Sequence, residues 1–200
     1  ERMKDIKARL SILGTEFSQN LLADEREWFM PLAEADMKGL PDFLISAAKA
    51  AAKEKGHSGA IITLSRSVVV PFLQFSPHRD LRQKAYAAWA ARGANEGKTD
   101  NRALAREMLA LRQEMAELLG YSDFASFKLE TEMAKTPQNV RQLLTEVWEP
   151  AKERAGQDAK ILTEMMHRDG FKGQLEKWDW RYYAEKRRKS EYDLNEAEVK

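Results

Sequence analysis

Asn101–Pro137, NRALAREMLALRQEMAELLGYSDFASFKLETEMAKTP, carries three helix signatures in a row. Leu104, Met108, Leu111, Met115 and Leu118 recur at alternating steps of four and three, which lines them along one helix face. Asp100 and Asn101 stand where short polar side chains accept hydrogen bonds from first-turn amides. Gly120 follows Leu118–Leu119, at the place where a helix ends in a left-handed residue. A second, shorter helix fits from Ser122 to about Ala134, with Phe124, Phe127, Leu129 and Met133 as candidates for burial. Thr136–Pro137 opens a third, Thr as cap and Pro at the first helical position, where its missing N–H costs nothing.

Upstream, Arg2 to about Leu22 is amphipathic, with Ile6, Leu10, Leu13 and Phe17 in its stripe. The chain opens at Glu1 inside that pattern, as an internal fragment of a longer protein would. Asp24–Lys38 reads as helix interrupted near Pro31, and Asp42–Lys55 as an alanine-rich helix ended by Gly56. Ala60–Ser65 is the best strand candidate, short and β-branched. Val68–Phe75 is open: its valines favour a strand, while Pro71 and the short length allow a helical turn. Ser76–Pro77 caps a helix over Arg79–Arg92.

Downstream, Pro137–His167 is a long helix with Val140, Leu143, Leu144 and Val147 inward, kinked at Pro150. A last helix runs from Trp178 to about Tyr192, and Asp193-Leu194-Asn195 begins a further element. The sum is an all-α, irregular multi-helix bundle of about seven to nine helices, with at most one short β-hairpin near 60–70. It reads as one helical fragment over 1–200 with a possible subdomain break near 93–100.

The chemistry is mostly exclusion. Basic and acidic residues balance, 33 against 32, so no overall field recruits nucleic acid or an anionic membrane. There is no cysteine, hence no disulfide or thiolate metal site, which fits a cytoplasmic location with the periplasm as the alternative. No apolar run is long enough to span a bilayer. His57, His78 and His167 form no H-E-x-x-H pair, and no G-x-S-x-G or phosphate loop occurs. Glu164-Met-Met-His167 has the Glu-x-x-His step of di-iron bundles without a second copy, so an exposed helix-end histidine is the better reading. Trp178-Asp-Trp-Arg-Tyr-Tyr183 followed by Lys186–Lys189 mixes aromatic and basic residues. A buried aromatic anchor with a basic outer face accounts for it better than nucleic-acid stacking.

Together the motifs resemble a family. Phe17-Ser-Gln-Asn-Leu-Leu22, Gly39-Leu-Pro41, Ile62-Thr-Leu64, Arg79-Asp-Leu-Arg82, Tyr86-Ala87 and Asp100-Asn-Arg102 come first, in family order. Leu111-Arg112 with Glu114, Leu118-Leu-Gly-Tyr121, Met133-Ala-Lys-Thr-Pro137, Trp178–Tyr183 and Tyr192-Asp-Leu194 follow. The series resembles the M3 zinc oligopeptidases (thimet-oligopeptidase-like), and Trp148-Glu-Pro150 with the Trp180 motif tilts it to the bacterial peptidyl-dipeptidase (Dcp) branch. That resemblance implies a parent enzyme that hydrolyses short peptides with one zinc and releases C-terminal dipeptides. Its zinc ligands, catalytic glutamate and oxyanion residues match no position here, so the chain alone is expected to be inactive and to bind no zinc.

The resemblance implies a helical, non-catalytic wall of a peptide channel, with Trp178, Tyr182 and Tyr183 as channel-facing candidates and the core as their alternative place. Expected partners are short peptides and the catalytic lobe of the same polypeptide; excision would leave apolar surface prone to self-association. Nucleic acid and membrane are not expected. A stand-alone helical module that binds peptide or protein is the alternative. Asp179 could equally cap the last helix.

Overall fold

The computed structural model describes residues 1–192. Eight α-helices lie among them: α1 (Arg2–Glu27), α2 (Asp42–Glu54), α3 (Arg66–Phe75), α4 (Arg79–Ala90), α5 (Arg102–Leu118), α6 (Phe124–Leu129), α7 (Pro137–Arg168) and α8 (Trp180–Tyr192). A 3-10 turn at Ala35–Met37 and two strands, β1 (Phe29–Leu32) and β2 (Ala60–Thr63), complete the set. The fold is mostly helical with one short antiparallel strand pair. Asp193-Leu194-Asn195 lies outside the described residues. The chain divides into two compact units: Glu1–Ala23 with Gly93–Ala155, and Asp24–Arg92 with the chain from Gly156 on.

In the first unit, Arg2 pairs with Glu114 and Arg9 with Glu107, each at 2.6 Å. A step forward along α1 is therefore a step back along α5, and the helices run antiparallel. These pairs are half-exposed, so they set register more than they stabilise. Burial of Ile6, Leu13, Met115 and Ala116 supplies the apolar energy. Asn101 takes the cap position of α5, but its side chain makes no cap bond. It is buried, donates to the Phe17 carbonyl at 3.0 Å and accepts from Asn20 at 2.8 Å. Asp100 does the capping, accepting from the Arg102 amide at 2.9 Å. Hydrogen bonds from the Arg102 guanidinium and amide hold the Asp100 carboxyl down at about 2.

Gly120 is left-handed as expected, at φ +86°, and the Tyr121 amide closes the end of α5 onto the Ala116 carbonyl at 3.0 Å. Asp123 caps α6 through the Ser126 amide at 2.8 Å, and Thr136 accepts from the Asn139 amide at 3.2 Å at the start of α7. Two burial expectations fail here. The second helix ends at Leu129 rather than near Ala134, and the chain turns through Lys135 at φ +63°, which leaves Met133 99% exposed. Leu143, Leu144 and Val147 do not point inward; they are about 60% exposed, as is Trp148. Their periodicity is a true apolar face, but among the described residues only α6 approaches it, through Ala125 and Leu129.

The second unit is built on the strand pair. Residues 29–32, expected as interrupted helix, form β1 and pair antiparallel with β2, Phe29 opposite Thr63 and Leu32 opposite Ala60. The strand partner therefore lies far upstream of 60–70. Met30 and Leu32 point inward while Pro31 is exposed, a period-two pattern. A proline is tolerated in a strand at a sheet edge. Leu44, Ala48 and Ala52, one face of α2, cover β2, where Ala60, Ile61 and Ile62 are all buried. Val68–Phe75 resolves as helix: Val68, Val69, Phe72 and Leu73 recur at helical spacing and are buried. Proline lies past the first turn of α3, so one backbone hydrogen bond is lost there. His78, not Ser76, occupies the cap position of α4, and Ser76 Oγ accepts from the His78 amide at 3.3 Å.

Candidate functional site

Polar chemistry concentrates where α4 meets the start of α8. Arg82 is fully buried and every guanidinium nitrogen is used. Nε donates to the Trp178 carbonyl at 3.1 Å, one terminal nitrogen to the Ser76 carbonyl at 2.8 Å, and the other to Asp179 Oδ1 at 2.8 Å. Arg79, one turn earlier on α4, adds a two-pronged pair with the same carboxylate at 3.0 and 2.8 Å. Asp179 also accepts from the Glu176 amide at 3.1 Å. Burial alone would raise the Asp179 carboxyl, but the hydrogen bonds from Arg79 and Arg82 outweigh it and hold the group below its ordinary range. Asp179 does stand at the start of α8, where its carbonyl accepts from the Tyr183 amide at 3.0 Å. Its carboxylate is spent on the arginines, not on the first-turn amides of α8.

Three aromatic candidates flank this cluster and have different surroundings. Tyr183 is fully buried with Leu162 and Met166, and its hydroxyl has no hydrogen-bond partner among the described residues. Burial pushes its phenol up, and the charge of Asp169 adds to that. Trp178 is half-buried with its indole N–H unpartnered among the described residues. Tyr182 stacks under Arg82, whose guanidinium carbon lies 4.2 Å from the ring centre, and borders an open groove. The groove runs between the Gly39–Phe43 turn, the end of α3 and α8, and has a volume of about 860 Å³. Gln74 on α3 spans its floor, donating to Glu185 on α8 at 2.8 Å.

The basic run of α8 is largely paired. Lys186 meets Asp169 at 2.5 Å, Arg187 meets Asp158 and Glu191 at 2.8 and 2.7 Å, and Arg188 meets Glu185 at 2.8 Å. His167 closes the end of α7 by a 3.0 Å contact with the Gly173 carbonyl and remains exposed. No group of three or more His, Cys, Asp or Glu among the described residues could hold a metal. No helix among them is long and apolar enough to cross a membrane.

Two motifs far apart in sequence, Arg79-Asp-Leu-Arg82 and Trp178-Asp-Trp, thus meet at one carboxylate. Their partnership was not read from sequence. The available signal was two arginines at i, i+3 on one helix face and a single acid between tryptophans.

Residues 72–200 match the model of peptidase family M3. The chain belongs to peptidase family M3. Over 205 aligned positions that take in the whole chain, it is 32% identical to Oligopeptidase A of Salmonella typhimurium and 34% identical to that of Haemophilus influenzae. With 97% of the chain aligned, it is 31% identical to Dipeptidyl carboxypeptidase of Escherichia coli. The chain spans 30% of the length of each of these relatives. Within this M3 segment, the Leu118–Tyr121 motif forms the closed end of α5, and the Arg79–Arg82 and Trp178–Tyr183 motifs form the buried ionic joint.

Proposed function

We propose that this chain is the helical, non-catalytic portion of a zinc metallopeptidase that hydrolyses short oligopeptides and releases dipeptides from their C-termini in the cytoplasm. The family match over residues 72–200 carries the reading, and relatives named Oligopeptidase A and Dipeptidyl carboxypeptidase support it. The described residues do not fit a zinc site, so no step of hydrolysis is derived through the metal. The chain's part is to wall a peptide channel, with Tyr182 at an open groove as the channel candidate best supported by its exposure. Trp178 contributes an edge, and Tyr183 holds the wall from behind.

The apolar face of α7 gives this portion a seat for the catalytic lobe of the same polypeptide. Leu144, Val147 and Trp148 border an open apolar hollow of about 600 Å³ with Ala125 and Leu129 of α6. A soluble surface rarely keeps such a face uncovered without a partner.

The test compares the 200-residue chain with a longer polypeptide that contains it. Both are incubated with an internally quenched peptide, and zinc content is measured by mass spectrometry. The longer protein is expected to release C-terminal dipeptides and to lose activity with a chelator, while the chain alone does neither. Stoichiometric zinc and peptide cleavage by the chain alone would overturn the reading.

A further inference from the structure

The face of the second unit formed by α2, α3 and α8 carries a continuous trough independent of any catalytic role. The groove beside Tyr182 continues into a second hollow of about 750 Å³ along α3, and the two share Phe43, Gln74 and Phe75. Two hollows in series with a common wall suit an extended chain better than a compact ligand, which a single pocket of this size would hold. Aromatic surface is displayed along the trough. Phe43 is half-exposed and packs edge-on against Phe75 at 6.2 Å between ring centres, and Tyr182 stands across from them.

Charge around the trough is unequal. Arg66 borders one hollow, and Lys186 and Lys189 border the other. Neither Arg66 nor Lys189 is paired with a carboxylate among the described residues, and both are exposed. Lys186 shares Asp169 and sits 5.7 Å from the Tyr182 ring centre. Of the two acids in the wall, Glu185 is already occupied by Arg188 and Gln74, which leaves Asp42 as the single uncommitted carboxylate. Cationic groups thus stand at both ends of an aromatic floor.

We infer that this trough binds an extended acidic peptide segment, with aromatic or aliphatic side chains resting on Phe43, Phe75 and Tyr182 and carboxylates meeting Arg66 and Lys189. A nucleic-acid strand fits less well, because its unbroken row of phosphates must pass Asp42 and Glu185. A peptide can set neutral residues opposite those two acids.

The test uses the 200-residue chain and a short fluorescein-labelled peptide alternating glutamate with leucine and phenylalanine, read by anisotropy. A lysine-for-glutamate version and an oligothymidylate serve as competitors. Saturable one-to-one binding is expected, weakened by salt and at least about tenfold weaker in the Arg66→Glu, Lys189→Glu double variant, since two exposed attractions become repulsions. Phe43→Ala is expected to weaken binding without changing the salt dependence, and circular dichroism checks that each variant keeps its helices. Binding that the double variant leaves unchanged, or equal binding of the basic peptide, overturns the inference. So does preferred binding of the oligonucleotide. A chain that dimerises in sedimentation, loses the dimer in the double variant and binds no peptide would show a second copy in the trough and overturn it too.

Discussion

Replacing Asp179 by alanine should nearly exhaust the stability of the second unit. The carboxylate is buried and accepts from two guanidinium groups and one backbone amide. Arg82 has no route to water, so removing its counter-ion leaves a charge among two carbonyls and aromatic rings. Breaking a buried pair from one side costs about 3–5 kcal/mol. Arg79 is one-third exposed and rehydrates, so its share is discounted to about 1 kcal/mol or less. A loss of about 4 kcal/mol compares with roughly 5–15 kcal/mol for a whole domain. Urea unfolding followed by tryptophan fluorescence is the assay. Trp28, Trp89, Trp178 and Trp180 lie in the second unit, leaving only Trp148 in the first. The order of loss should be Asp179→Ala, then Arg82→Met, then Arg79→Ala. An Asp179→Ala loss below about 1 kcal/mol would refute the view that an uncompensated Arg82 dominates the joint.

The same joint should respond to acid. The folded Asp179 carboxyl lies below its ordinary value, so its contribution is full above roughly pH 4 and is lost as pH falls through the folded pKa. The stability gap between the parent chain and Asp179→Asn, measured by urea titration at successive pH values, should therefore narrow below pH ~4; a constant gap would count against the shift. Gly93→Ala should cost more than Gly120→Ala in thermal melts. Both glycines are left-handed, but a Cβ at 93 meets Leu21 at 2.8 Å and Asn101 at 2.9 Å, whereas one at 120 meets nothing. Equal shifts would mean that Leu21 and Asn101 yield freely. Leu144→Glu should change the stability of this chain by less than about 0.5 kcal/mol, because the side chain is mostly exposed. It should reduce self-association in sedimentation and destabilise the longer protein; no effect on either would show that the α7 face is not a seat.

What could be read from the sequence was local. The Leu104–Leu118 stripe, Gly120, Thr136 and Pro137 act within a few residues of themselves, and the structure uses them as read. Reading failed where a distant segment decides. Residues 29–32 are strand because Ala60–Thr63 is there to pair with them, and no pattern within Phe-Met-Pro-Leu announces a partner so far downstream. Val68–Phe75 became helix because one helix face could be buried, a tertiary preference that outweighs the β-propensity of its valines. Asn101 stood at a cap position by sequence, yet its side chain bonds to α1 instead, leaving Asp100 to do the capping.

The candidate site was legible only as separate motifs. Arg82 reads as a surface residue on any propensity scale, and only the fold reveals that it needs Asp179. The apolar face of α7 makes the opposite case. Its spacing correctly identified side chains built to be covered, and the error was to assume that the cover lies within these residues. Amphipathic periodicity records that a helix face is meant for burial, not which segment buries it. In a chain spanning 30% of its relatives' length, an open apolar face and a closed ionic joint carry different information. The joint is complete, so its energetics can be tested on this chain alone. The face has meaning only beside what packs on it, so Leu144→Glu must be compared between the chain and the longer protein.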